Sequence, residues 1–236
     1  MRRTPRRARL IACALFVTPF ALAVEPAPFE AVGPRAASGY LARPRDVRSP
    51  RPVTVYLHGL CGGPANGCRH FLDAATERAW LLCPRGPARC GGDTSSWGPS
   101  PSAARAAVDR LVDAAERAAP DALDRRAPGV LVGFSQGAYT AERLLRASPG
   151  RWRAVAFIAA DIRWSRAAFE RVGVRRVVLA ASRRDMMRPV LQETARRLQA
   201  EGFAARFVDL GATGHTYVAS GGAAVWRDAL AWLEDA

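Results

Sequence analysis

The sequence predicts a single α/β domain: a mostly parallel β-sheet with helices packed on both faces. Three observations carry that expectation. Short apolar runs of strand length alternate with segments in which apolar residues recur every three or four positions. No linker or internal repeat divides the chain. A length of 236 residues at 49% hydrophobic content is enough for one sizeable core.

From the amino terminus, residues 1–9 carry five arginines, residues 10–24 form an apolar run, and Ala21-Leu22-Ala23 offers a small-x-small cleavage pattern. This is the layout of a secretory signal peptide covering residues 1–23. A membrane anchor is the competing reading, but the apolar run falls short of the ~20 residues that a spanning helix needs. Residues 24–50, rich in proline, arginine and alanine, read as an extension carrying the first strands, with a weak candidate near Tyr40-Leu41. Residues 51–236 read as the main domain.

Within that domain, strands are expected at 53–57, 80–83, 130–134, 155–159, 176–181 and 205–208. Between them, Ala104, Ala107, Val108, Leu111, Val112 and Ala115 mark one apolar helix face. Ala138, Ala141, Leu144 and Leu145 mark a second, and Val190, Leu191, Ala195 and Leu198 a third. A closing helix is expected over about 223–233. Alternation of this kind builds a parallel sheet covered on both sides. Functional residues are then expected at the carboxyl ends of the strands. The glycine- and proline-rich connection 84–101, which contains Trp97, is too long to be a plain link.

The formal charge is +14, but five of the positive charges belong to the signal segment; five from +14 leaves +9 downstream. All 35 basic residues are arginine, the uniformity that a GC-rich coding bias produces. They are scattered along the helices without aromatic interleaving, so no nucleic-acid partner is expected.

Downstream of the signal segment stand Cys61, Cys68, Cys83 and Cys90. An even number of cysteines in an exported chain reads as two disulfides. Three connectivities are possible, and pairing Cys61 with Cys68 and Cys83 with Cys90 closes the shortest loops. Neither pair has the C-x(2 to 4)-C spacing of a zinc site, so no metal is expected.

The candidate chemistry centres on Gly133-Phe134-Ser135-Gln136-Gly137, which follows a strand and opens a helix. A tight strand-to-helix turn holds a serine hydroxyl above the sheet, and small residues two positions away on each side let the chain pack close. The helix beginning at Gln136 also aims free N–H groups at the reacting centre. A serine becomes nucleophilic only with a base to take its proton and a carboxylate to orient that base. His215, in a loop after the last strand, is the candidate base. Asp185, after strand 176–181, is the candidate acid, with Asp161 after the preceding strand as competitor. The order Ser135, Asp185, His215 is that of nucleophile, acid and base. Leu57-His58-Gly59-Leu60 ends the first strong strand, and the Leu60 N–H is the candidate second oxyanion donor beside the Gln136 N–H. His58 itself reads as structural, and His70 as a helix residue at the surface or with its hydrogen bonds satisfied. Trp97 is a candidate for shaping a substrate pocket, with core packing as the competing reading.

These segments, with Cys83-Pro84-Arg85-Gly86-Pro87 and Gly214-His215, resemble the carboxylesterase, phospholipase and acyl-protein thioesterase group of α/β-hydrolases over about residues 52–236. Ala180-Ala181-Ser182-Arg183-Arg184-Asp185 departs from that group's usual His-Gly-x-x-Asp pattern. The resemblance implies a single-domain α/β-hydrolase fold without a large lid, a Ser, Asp, His triad and no cofactor. It implies hydrolysis of carboxylic esters or thioesters, small or polymeric; the signal segment and paired cysteines, which differ from the group's cytoplasmic members, place that activity outside the cytoplasm, with no stable membrane insertion once the signal is removed. A peptidase or polyester depolymerase with the same triad, or a non-catalytic binding module on the same scaffold, are the alternatives.

Overall fold

The structure is a computed structural model and describes residues 29–34 and 37–236. The signal segment expected at residues 1–23 lies outside the described residues.

In chain order the elements are β1 (Glu30–Val32), β2 (Gly39–Ala42), β3 (Val53–Leu57), α1 (Pro64–Thr76), β4 (Trp80–Pro84), β5 (Ala88–Gly91), β6 (Thr94–Ser96) and α2 (Pro101–Ala118). There follow β7 (Gly129–Phe134), α3 (Gln136–Ala147), β8 (Trp152–Ile158), α4 (Arg166–Arg171), β9 (Arg176–Ala181), α5 (Arg188–Ala200), β10 (Ala204–Asp209) and α6 (Ala223–Glu234). The strands and helices expected from periodicity are all present within a few residues of their predicted ends. The structure adds β1, the six-residue helix α4, and a hairpin of β5 and β6 inside the connection that the sequence left irregular.

Eight strands form the main sheet in the order β1-β2-β4-β3-β7-β8-β9-β10. β1 and β2 are antiparallel to their neighbours and the rest run parallel. Side chains alternate across each strand, so each feeds two cores. Leu57, Leu131, Phe157 and Leu179 pack under α2, α3 and α5. Tyr56, Val132, Ile158 and Val178 pack under α1 and α6.

Register then gathers the chemistry. Leu57 pairs with Gly133, Phe134 with Ile158, and Ala181 with Asp209, so β3, β7, β8, β9 and β10 end along one edge of the sheet. From β3 the chain steps outward to β4 and then returns to β7 on the other side of β3. The loops after β3 and β7 therefore flank a topological switch point, where open α/β sheets bind their ligands.

The cysteines pair as Cys61–Cys90 and Cys68–Cys83, with Cα atoms 5.5 and 5.7 Å apart. This corrects the expected pairing of neighbours in sequence. Alternation along β4 sends Trp80 and Leu82 to one core and Leu81 and Cys83 to the other, where Cys68 on the inner face of α1 meets it. Cys90, on the separate hairpin, lies instead over the turn that carries Cys61. Loops of 15 and 29 residues closed in this way each restrict the unfolded chain by about 3 kcal/mol.

Candidate active site

Ser135 stands between β7 and α3 with φ 52° and ψ −118°, a conformation that a non-glycine residue adopts only at a cost of about 1–3 kcal/mol. The two flanking glycines make that turn possible. A methyl group on Gly133 would come within 2.6 Å of the Ala138 Cα, and one on Gly137 would run into the Leu57 carbonyl at the end of β3. The first turn of α3 therefore folds tightly back onto β7 and against β3. Ser135 N–H donates to the Ile158 carbonyl at 2.9 Å and leaves the hydroxyl facing out from the sheet edge.

His215 comes to this hydroxyl from the loop after β10. Its Nε2 accepts from Ser135 Oγ at 2.9 Å, and its Nδ1 donates to Asp185 Oδ2 at 2.9 Å. The three side chains form one continuous hydrogen-bonded line, with the imidazole proton on Nδ1. The Asp185 side chain is fully buried, and its other oxygen accepts from the Met187 N–H at 2.8 Å. That second donor compensates a carboxylate that is out of water. Asp161 is not part of this line: it is exposed and its carboxylate grips Arg163 through both oxygens, at 2.7 and 3.1 Å.

The loops carrying the acid and the base are stitched together by main-chain bonds. Arg183 N–H donates to the Gly211 carbonyl at 2.7 Å, Arg184 N–H to the Thr213 carbonyl at 3.1 Å, and Leu210 N–H to the Ala181 carbonyl at 3.2 Å. The buried Ser182 hydroxyl adds a bond to the Gly214 carbonyl at 2.7 Å, one residue before His215. Behind the imidazole, the Phe134 ring packs 5.1 Å from it, and Tyr217 packs on Phe134 at 5.0 Å.

Opposite this wall, the chain leaving β3 turns at Gly59–Gly62, where Gly62 N–H donates to the Gly59 carbonyl at 3.0 Å. Gly59 lies close enough that a Cβ there would be 3.4 Å from Ser135 Cβ. Leu60 is thus carried on a turn beside the serine, and Gln136 immediately follows it in α3. His58 is buried beneath the turn, and burial pushes its pKa down to about 4, so the ring is neutral. Its Nδ1 donates to the Gly59 carbonyl at 2.8 Å, and its Nε2 accepts from the Gly86 N–H at 3.2 Å and from the Ser95 hydroxyl at 3.1 Å.

Trp97 is completely buried, which corrects its assignment to a substrate pocket. Its indole N–H donates to the His58 carbonyl at 2.8 Å, and the ring packs against the imidazole at 4.9 Å. It supports the turn from behind and has no surface to offer a substrate. His70 is half-buried on α1 against Tyr217, with its Nε2 lacking a hydrogen-bond partner among the described residues. Ser95 and Ser182 were missed by the sequence reading: a single hydroxyl in a loop rich in serine, glycine or arginine has no pattern that marks it.

Five large apolar side chains stand exposed among the described residues; Tyr139, Met186 and Val218 lie within four residues of Ser135, Asp185 and His215 in the chain, and Leu60 follows Gly59, which packs against Ser135. An open groove of about 520 Å³ lies alongside, bordered by Met186, Met187, Asp161 and Arg163. A second cavity, of about 710 Å³, opens around the amino ends of β9 and β10 near Arg153, Arg175 and Phe203, at the opposite edge of the sheet from the serine.

No protein family matches the chain by sequence, and no curated protein does. Solved structures do match it. Esterase PE8 shares 20% identity at a TM-score of 0.58, over 83% of this chain and 98% of its own. A carboxylesterase from Bacillus cereus shares 16% at 0.55, over 83% and 92%. Acyl-protein thioesterase 2 from Zea mays shares 18% at 0.54, over 82% and 97%. At these identities the likeness is one of fold: the chain has the single-domain α/β-hydrolase fold, which it shares with these two esterases and a thioesterase.

Proposed function

We propose that this α/β-hydrolase-fold chain is an exported serine hydrolase of carboxylic esters, with thioesters within its chemical reach. The observation that carries the proposal is the line Ser135 Oγ, His215 Nε2, His215 Nδ1, Asp185 Oδ2, with 2.9 Å at each hydrogen bond. A hydroxyl so placed passes its proton to Nε2 as its oxygen attacks an acyl carbon, and the imidazolium that forms is stabilised by the buried Asp185 carboxylate. The negative charge that develops on the acyl oxygen is met by the N–H groups of Leu60 and Gln136. Their dipoles are fixed before the reaction begins and so need little reorganisation. Collapse of the tetrahedral adduct breaks the bond to the leaving oxygen or sulfur, which departs with the proton from Nε2. Water then gives its proton to the same nitrogen as it attacks the acyl-serine, and collapse of this second adduct passes that proton to Ser135 Oγ, releasing the acid and restoring the serine hydroxyl.

Leu60, Tyr139, Met186 and Val218 support a substrate that is apolar beside its ester bond, since their exposure is offset when such a group covers them. The two disulfides support maturation in an oxidising compartment, in agreement with a signal peptide at residues 1–23. Treating the folded protein with a fluorophosphonate and mapping the adduct tests the reading. A modified Ser135 together with loss of p-nitrophenyl acetate hydrolysis is expected; folded protein that takes no label there refutes it. A panel of p-nitrophenyl esters of rising acyl length, set against peptide substrates, separates an esterase from a peptidase.

A further inference from the structure

The turn proposed to supply the Leu60 N–H is not self-supporting. Its third residue, Cys61, has φ 47°, in the left-handed region that disfavours a side chain, at a cost of about 1–2 kcal/mol. What reaches it is the β5–β6 hairpin, and by several separate links. Cys90 of β5 is bonded to Cys61. Ser95 of β6 donates its N–H to the Gly62 carbonyl at 3.1 Å, and its hydroxyl bonds His58 Nε2 at 3.1 Å. Just beyond β6, Trp97 holds the His58 carbonyl through its indole at 2.8 Å and donates its backbone N–H to Gln136 Oε1 at 3.1 Å. A single element and its exit thus touch both segments that carry the proposed oxyanion donors.

We propose that the β5–β6 hairpin is a positioning clamp for the oxyanion turn, locked by the Cys61–Cys90 disulfide; the proposal rests on the serine-hydrolase reading above. The hairpin pairs with no strand of the main sheet, and β5 is largely exposed. An isolated two-stranded hairpin is marginal in water, so its grip depends on the covalent link. The two disulfides therefore differ in kind. Cys68 and Cys83 are fully buried in the core between α1 and β4. Cys61 and Cys90 are exposed, with Cys61 two residues after Gly59, which packs against Ser135. A soluble dithiol reaches this second pair first: its thiolate attacks one sulfur, its second thiol closes to a cyclic disulfide, and Cys61 and Cys90 leave as two thiols having gained two electrons and two protons.

The test uses the native protein under mild dithiothreitol, with mass mapping to verify that only Cys61–Cys90 is open and near-UV dichroism to verify that the fold is retained. Because an ångström of misplacement can cost about a hundredfold, kcat on p-nitrophenyl acetate is expected to fall about ten- to a hundredfold. KM is expected to move less than about threefold, and oxidised glutathione to restore the rate. The Cys61→Ser/Cys90→Ser double variant is expected to behave as the reduced protein; if it does not fold, selective reduction decides alone. Cys68→Ala/Cys83→Ala is the control, expected to lower the melting temperature while kcat stays within about threefold. Folded, selectively reduced protein with kcat within about twofold of the oxidised form overturns the clamp. Native protein that neither hydrolyses any ester nor labels at Ser135 is a different failure: it sinks the hydrolase reading and the clamp with it.

Discussion

The wall of the site that carries Asp185 and His215 is made of loops leaving adjacent parallel strands, and main-chain bonds at 2.7, 3.1 and 3.2 Å tie those loops together. The wall that carries Leu60 is made of one turn, and its links to the rest of the molecule run mostly through side chains: a disulfide, a histidine, a serine hydroxyl and an indole. Main-chain bonds between neighbouring strand ends follow from the register of β9 and β10 and tolerate many sequences. The side-chain links each depend on one residue type at one position. The first wall is a consequence of topology, and the second depends on particular side chains.

The largest effect that could break this contrast lies in the choice of acid. Asp185→Asn keeps the shape but removes the charge and the preference for the Nδ1–H tautomer. By analogy with the serine-protease triad, kcat is expected to fall about 10⁴-fold. Asp161→Asn, which only frees Arg163, is expected to leave kcat within about twofold. Steady-state kinetics on one p-nitrophenyl ester measures both. The reverse ranking would move the acid to the loop after β8 and dissolve the stitched wall as a functional unit.

The same difference explains what could be read from residues alone. Ser135, Asp185 and His215 were legible because each sits just past an apolar run, and strand ends of a parallel sheet converge wherever the sheet is built. Asp161 and Asp185 both fall between Ser135 and His215 in the chain, so order alone did not separate them; the Arg163 grip that occupies Asp161 depends on side-chain geometry. The hairpin was not legible, since Ala88-Arg89-Cys90-Gly91 and Thr94-Ser95-Ser96 carry no apolar alternation: its one buried side chain, Ser95, is polar. The disulfides misled for a related reason. Proximity in sequence favoured the short loops, whereas helix face and strand alternation decided which sulfurs met.

A second measurement sharpens the contrast through pH. Folded His58 has its pKa near 4, against about 6.5 in the unfolded chain, so between those values the unfolded state holds a proton that the folded state does not. Stability from this group is therefore present above about pH 6.5 and is lost as pH falls through that window to 4, by about 3 kcal/mol in all. Glu234 acts in the opposite sense. Burial raises its pKa to about 7, so the folded state holds an extra proton between about pH 4.5 and 7; this contribution is fully present below about 4.5 and is lost as pH rises through 7. The bulk profile mixes the two, and a His58→Gln variant isolates the first. The stability difference between wild type and variant, from guanidinium midpoints, is expected to shift against wild type by about 3 kcal/mol on going from pH 6.5 to 4. A difference independent of pH would mean that His58 is not the buried neutral acceptor on which the turn rests.

The smallest expected effect falls on the stitched wall itself. Ser182→Ala deletes the side-chain link to the Gly214 carbonyl, while the main-chain bonds from Arg183 and Arg184 to the same loop remain. One neutral hydrogen bond contributes about 1 kcal/mol, so kcat is expected to fall no more than about fivefold, with a drop of a few degrees in melting temperature. Opening Cys61–Cys90 should cost more activity than this, because behind the turn the hairpin offers one main-chain bond, Ser95 N–H to the Gly62 carbonyl, against three between the loops of the other wall. If Ser182→Ala instead cost as much as opening the disulfide, the backbone stitching would not be what holds His215 in place. Gly214 would then be the hinge on which the imidazole turns, and both walls would depend on single side chains.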